Sequence, residues 1–174
     1  MLEKNNRYKL LKIFLFAPTE SFRLRELSRL SEISPPSVMH YLMEFEKRGL
    51  IRSYKKRDIP FYKAEIDNGQ FREYRKIAIL FEINNSDLTD FLWDRLSPEA
   101  IVLYGSYAKG EATEDSDLDL FVIGKEKELN LDKFEKKIGI KIHLLFERDV
   151  KRISNELKNN LINGIVLRGY LKLF

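Results

Sequence analysis

Cysteine is absent from this 174-residue sequence, and glycine and proline are sparse, at 8 and 5 residues. The lack of thiols excludes a disulfide scaffold, a cysteine-ligated zinc site and thiol catalysis. No internal repeat, low-complexity tract or Gly/Ser-rich linker interrupts the chain. Long apolar runs are missing as well. Stretches such as 101–104 and 118–123 fall far short of the ~18 residues of a membrane span. The opening MLEKNNRYKL lacks the apolar stretch of a signal peptide. These absences lead to the expectation of a soluble, cytoplasmic protein with no membrane segment.

Hydrophobic residues make up 44% and charged residues 33%, enough apolar material for a packed core. The length suits one medium domain or two small ones, at roughly 100–200 residues per domain. The 31 Lys+Arg and 27 Asp+Glu leave a net charge of +4, unevenly distributed. Residues 1–65 carry 14 basic and 8 acidic residues (+6), and residues 66–174 carry 17 and 19 (−2). Such an asymmetry suggests two parts with different partners.

In the first part, residues 4–16 place Leu10, Ile13 and Phe14 at helical spacing, with basic residues opposite, and Ala17-Pro18-Thr19 stops the run. Residues 22–30 repeat Leu24, Leu27 and Leu30 and predict a second helix. A third runs from Ser34, a candidate N-cap followed by Pro35, to about Arg48, with Val38, Leu42 and Phe45 inward and Gly49 as a left-handed stop. Two β-prone runs, 50–54 and 61–64, then flank the charged segment Lys55-Lys56-Arg57-Asp58-Ile59-Pro60, the pattern of a hairpin.

Three helices and a basic-tipped hairpin resemble the winged helix-turn-helix family, over about residues 5–65 and most clearly in SEISPPSVMHYLMEFEKRGLIRS. The resemblance implies DNA binding. The third helix would enter the major groove with Ser34, Ser37, His40 and Met39 near base edges, and Lys55, Lys56 and Arg57 would meet phosphates. A winged helix used for protein contacts or homodimerisation is the alternative. Glu44 and Glu46 on the third helix favour it, because acids repel phosphate.

Residues 71–81 and 86–96 read as two connecting helices, broken at Asn84-Asn85, with Ser86 as the cap of the second and Trp93 as a core or interdomain residue. Residues 100–104 then form a short apolar strand ending in Gly105-Ser106. A Gly-Ser turn lets backbone N–H groups approach a phosphate, the hydroxyl adds a donor, and Lys109 adds charge. Downstream, Asp115-Ser116-Asp117-Leu118-Asp119 leads into the apolar run 120–123. On a strand Asp117 and Asp119 share a face, and a hard divalent cation relieves their repulsion. An EF-hand loop is excluded, because Leu120 stands where such a loop requires glycine.

The run LYGSYAKGEA followed by DSDLDL resembles the nucleotidyltransferase superfamily that includes DNA polymerase beta, and is closest to its minimal members, some of which act as antitoxins. The resemblance implies transfer of a nucleoside monophosphate from a triphosphate, ATP as the leading candidate, to a hydroxyl. The implied cofactor is Mg²⁺ or Mn²⁺ on Asp117 and Asp119, with Gly105, Ser106 and Lys109 at the triphosphate. A tyrosine or serine on a toxin-like partner protein is the leading acceptor. The family pattern places a third carboxylate on a later strand, 140–147, where this sequence has His143. A histidine there serves as a general base or metal ligand, or marks a catalytically weakened site. Glu147 is the fallback acid.

The expected fold class is α+β: a winged helix (1–66), a helical connector (67–96) and a mixed-sheet nucleotidyltransferase domain (97–174). Residues 155–170 read as a helix interrupted near Gly164, and the apolar end 171–174 as a completion of the core. A nucleotide-sensing transcriptional regulator without catalysis is the alternative function.

Overall fold

A computed structural model describes residues 4–149 and 153–172, so the last two residues of the expected apolar end lie outside it. Among the described residues, no helix is long and apolar enough to cross a membrane. The chain divides into two compact units, Met1–Ala78 and Ile79–Phe174.

In the first unit, α1 (Asn6–Phe16) starts where the Asn5 side chain accepts the Tyr8 N–H at 3.2 Å. After the short strand β1 (Ser21–Phe22) come α2 (Leu24–Ser31) and α3 (Pro35–Lys47). The second helix therefore begins later than its leucine spacing predicts. Phe22 belongs to a strand that pairs with Tyr62, and its ring meets Phe14 edge-on. Pro35 occupies the first turn of α3, where its missing N–H costs nothing, and Gly49 follows the helix with φ +65°. The Ser34 hydroxyl caps no backbone group and donates to Ser37 Oγ at 3.0 Å.

β2 (Ile51–Lys56) and β3 (Ile59–Ala64) form an antiparallel hairpin, and the sheet order is β1-β3-β2. The strands run into the segment that reads as a charged loop, leaving Arg57 and Asp58 as the turn. Both have positive φ, 50° and 60°, the requirement of a type I′ turn, met here without glycine. Leu10, Phe14, Leu27, Val38, Leu42, Phe45 and Leu50 are fully buried in this unit's core. Each contributes about 1.5–3 kcal/mol of transfer free energy.

α4 (Gly69–Ser86) passes through Asn84 and Asn85 without a break. The break is Asp87, in the left-handed region at φ 63°, before α5 (Leu88–Leu96). Ser86 does accept the Leu88 N–H, at 3.2 Å, but from inside α4.

The second unit is built on β4 (Ala100–Leu103), α6 (Gly105–Lys109), β5 (Leu118–Ile123), α7 (Asp132–Ile138), β6 (Ile142–Glu147), α8 (Asn155–Ile162) and β7 (Ile165–Gly169). Its four-stranded sheet has the order β6-β5-β4-β7 and is mixed, with β5 and β6 parallel and the other pairs antiparallel. The tail corrects the sequence reading. Its second half is a strand, not a continued helix. Gly164 makes the turn, and a Cβ there would come within 2.8 Å of the Leu103 carbonyl. β4 is wholly buried, and β5 is buried on both faces around one exception, the half-buried Asp119. Leu157, Leu161 and Leu145 pack on the face that carries Phe121 and Ile123. Leu145 thus lies in a core that strand alternation alone assigns to a polar face.

Candidate functional site

The turn after β4 positions the first group. Gly105 has φ +72°, a conformation that favours glycine, and opens α6. A Cβ at this position would sit 2.5 Å from Asp119 Oδ2, so the close approach of that carboxylate also requires glycine. The Tyr104 N–H donates to the Asp119 carbonyl at 3.1 Å, which locks the turn against β5. Ser106 is half-buried in the first turn of α6, where backbone N–H groups lack helical partners. Tyr107 and Ala108 anchor the helix by burial. Lys109 is exposed and reaches across to α8, with Nζ 3.4 Å from Asn160 Oδ1.

Asp119 lies on β5 on the same face as Phe121 and Ile123, by the two-residue period of a strand. Asp117 is exposed and stands one residue ahead of the strand, so it belongs to the loop that feeds β5. The parallel register pairs Asp119 with His143 on β6, and His143 Nδ1 lies 3.2 Å from Asp119 Oδ1. A carboxylate accepts, so Nδ1 is the donor in this contact. Asp119 thus turns Oδ1 to the imidazole, while Oδ2 lies beside Gly105. The remaining sequence candidate, Glu147, pairs with Ile123 at the far end of the strand, four residues from His143.

Tyr104 is a neighbour that sequence reasoning missed. Burial, and then the charge of Asp119, hold its phenol above the ordinary tyrosine pKa. Asn160 was missed as well, because a partner 51 residues from Lys109 leaves no local signal.

Among the described residues, no group of three or more His, Asp or Glu could hold a metal by itself. The donor set nevertheless fits a hard divalent ion. Asp117 and Asp119 offer oxygen, and Mg²⁺ is characteristically bound through one or two carboxylates plus substrate phosphates.

In the first unit, Ser34 is exposed just before α3, His40 is exposed on it, and Ser37 is half-buried. The His40 ring meets Tyr41 at 5.7 Å. Glu44 is paired with Arg7 at 3.1 Å, which offsets one of the acids that argue against phosphate contact. The hairpin separates the basic residues. Alternation puts Lys55 on the face of Ile51, which is buried, and Lys56 on the opposite face, while Arg57 occupies the turn. The buried face meets α3, since the Tyr62 hydroxyl lies 3.8 Å from Met39 Sδ.

A strand, a Gly-Ser turn, a short helix and a paired strand bearing an inward aspartate define a nucleotidyl-transfer scaffold. Residues 86–167 match the nucleotidyltransferase domain family. A protein of Methanocaldococcus jannaschii, provisionally named a protein adenylyltransferase, is 30% identical over 81 residues, which cover 41% of this chain and 81% of that protein. The chain belongs to the nucleotidyltransferase family. No solved structure matches it significantly.

Proposed function

We propose that the protein transfers a nucleoside monophosphate from a triphosphate, preferentially ATP, to a hydroxyl on a partner protein. The first unit would act as a winged helix that brings this activity to DNA. The observation that carries the catalytic reading is the meeting of Gly105, Asp119 and His143 at one end of the sheet. The provisional name of the Methanocaldococcus jannaschii relative supports a protein acceptor and adenylyl transfer.

In this reading, the backbone N–H groups at Gly105 and Ser106 and the Ser106 hydroxyl donate to triphosphate oxygens. Lys109 adds charge at the end of the same short helix. Asp117 and Asp119 would hold a divalent cation, which would supply charge neutralisation to the triphosphate. The acceptor oxygen bonds to the α-phosphorus, and the bond from that phosphorus to the oxygen bridging to the β-phosphate breaks. Pyrophosphate leaves. The hydroxyl proton passes to Nε2 of His143, whose Nδ1–H is held by Asp119. His143 thus takes a base's role at a position where the family pattern has an acid.

Incubation with labelled nucleoside triphosphates, Mg²⁺ or Mn²⁺ and cell extract tests this reading. Label should appear on protein with the wild type and disappear with Asp119→Ala. Equal labelling by both would sink the assignment.

A second reading rests on the same histidine. With no third acid beside Asp119 among the described residues, the site would bind a triphosphate and regulate DNA binding without turnover. Micromolar triphosphate binding with no pyrophosphate release, from a protein that still binds duplex DNA, distinguishes it.

A further inference from the structure

The three-stranded sheet presents a second surface, of which the duplex-binding reading uses only Lys56. Its register places Tyr54 opposite Phe61, Lys56 opposite Ile59 and Arg52 opposite Lys63. Side chains at alternate positions share a face, so these six line one side of the sheet. The other side carries the buried Ile51, Tyr62 and Ala64. On the outer side, the Tyr54 and Phe61 rings are stacked, with centroids 5.8 Å apart and planes 23° from parallel. The Arg23 guanidinium, just past β1, lies over the Phe61 ring at 5.0 Å.

The strand order β1-β3-β2 puts Arg23 and Tyr54 on opposite sides of Phe61. The result is a three-layer stack, cation, ring, ring, that ends at Tyr54 on the edge strand. Tyr54 is 41% exposed. Its neighbours two residues either way on the same face are Arg52 and Lys56, both exposed. Arg52 is paired with Glu65 at 3.0 Å.

We propose that this face binds single-stranded nucleic acid, with one base extending the stack on Tyr54 and adjacent phosphates on Arg52 and Lys56. A ring covered on one side and flanked along its strand by cations is the arrangement that takes bases without regard to sequence. Charge complementarity selects a polyanion, and the open ring selects one with unpaired bases. A duplex hides its base faces, so it would gain from the cations alone. The site is distinct from the α3 surface, because Tyr54 points away from the side on which Tyr62 meets Met39. Failure of the duplex reading therefore leaves this proposal standing, and the converse holds.

The test uses the full chain and fluorescence anisotropy with short labelled oligo-dT, short labelled oligo-U and a mixed-sequence duplex. Both single strands should bind. Tyr54→Ala should weaken them by about tenfold or more, the cost of one lost base stack, while duplex affinity stays within about twofold. Tyr54→Phe, which keeps the ring, should restore binding. Lys56→Ala should lower the salt slope by about 0.7, one phosphate contact on a single strand. A preference between oligo-dT and oligo-U identifies DNA or RNA as the natural ligand, and both results support the site. Four results overturn it: no single-strand binding at low salt, equal binding by wild type and Tyr54→Ala, a loss that Tyr54→Phe does not restore, or an equal loss on the duplex. Thermal melts of each variant separate these outcomes from misfolding.

Discussion

Asp119 and His143 face one another across the parallel β5–β6 pair, with Oδ1 and Nδ1 3.2 Å apart. The register of the strands creates this contact, and it orients the imidazole. A general base held in this way contributes about 10²–10⁴ to a rate. Under the proposed mechanism His143→Ala should therefore lower kcat by about a hundredfold or more while triphosphate KM changes little, since the ring would meet the acceptor proton and not the phosphates. Steady-state kinetics of pyrophosphate release measure both. A raised KM at constant kcat would instead place His143 in substrate binding.

Gly105 combines a left-handed backbone with a carboxylate lying where its Cβ would be. Gly105→Ala must move either the turn or Asp119. The left-handed conformation alone costs a residue with a Cβ about 1–2 kcal/mol. Thermal unfolding should show a loss at least that large, and triphosphate binding should fall with it. A variant of unchanged stability and affinity would mean that the turn adapts freely.

Much of this architecture can be read from local sequence. Pro35 and Gly49 mark the ends of α3, and the Gly-Ser and Asp-x-Asp spacings pick out Gly105 and Asp119, which the fold brings together. What escaped was set by tertiary context. Asn84-Asn85 looks like a breaker, yet α4 continues through it, and the turn falls on Asp87. The half-helical pattern of residues 165–169 became a strand because β4 offered an edge to pair with. Leu145 sits on a face that alternation calls polar, because α8 covers that face as well. Asp117 lies outside the strand because pairing starts at Leu118, whose N–H donates to the Lys141 carbonyl at 2.8 Å.

The division of the hairpin's basic residues makes duplex binding testable site by site. Each phosphate contact contributes about 0.9 to the slope of log affinity against log salt on B-DNA. Lys55→Ala and Arg57→Ala should each reduce that slope by about 0.9 in anisotropy titrations with a duplex. Ser37→Ala or His40→Ala should change preference among sequences more than slope, because base contacts carry the sequence information. Slopes unchanged in both basic variants would remove the hairpin from the duplex interface.

Glu135 ties α7 to the start of the strand that carries His143. Its Oε1 accepts the Ile142 N–H at 2.9 Å, and Oε2 accepts from Lys141 Nζ at 3.1 Å. The backbone N–H, and then the lysine, hold its carboxyl below the ordinary value of 4.5. A carboxylate depressed in the folded state stabilises the fold above its unfolded pKa, and that stabilisation is lost as pH falls through the lower, folded value. Glu135→Gln should therefore be less stable than wild type at neutral pH, by an amount that stays constant down to about pH 5. The gap should close once the pH drops below 4.5. Urea midpoints at a series of pH values measure it. A gap that persists unchanged into acid would assign the effect to the shape of the side chain and not to its charge. Activity adds a second readout, because loosening Ile142 displaces the neighbouring His143: kcat should fall at neutral pH while the triphosphate KM holds.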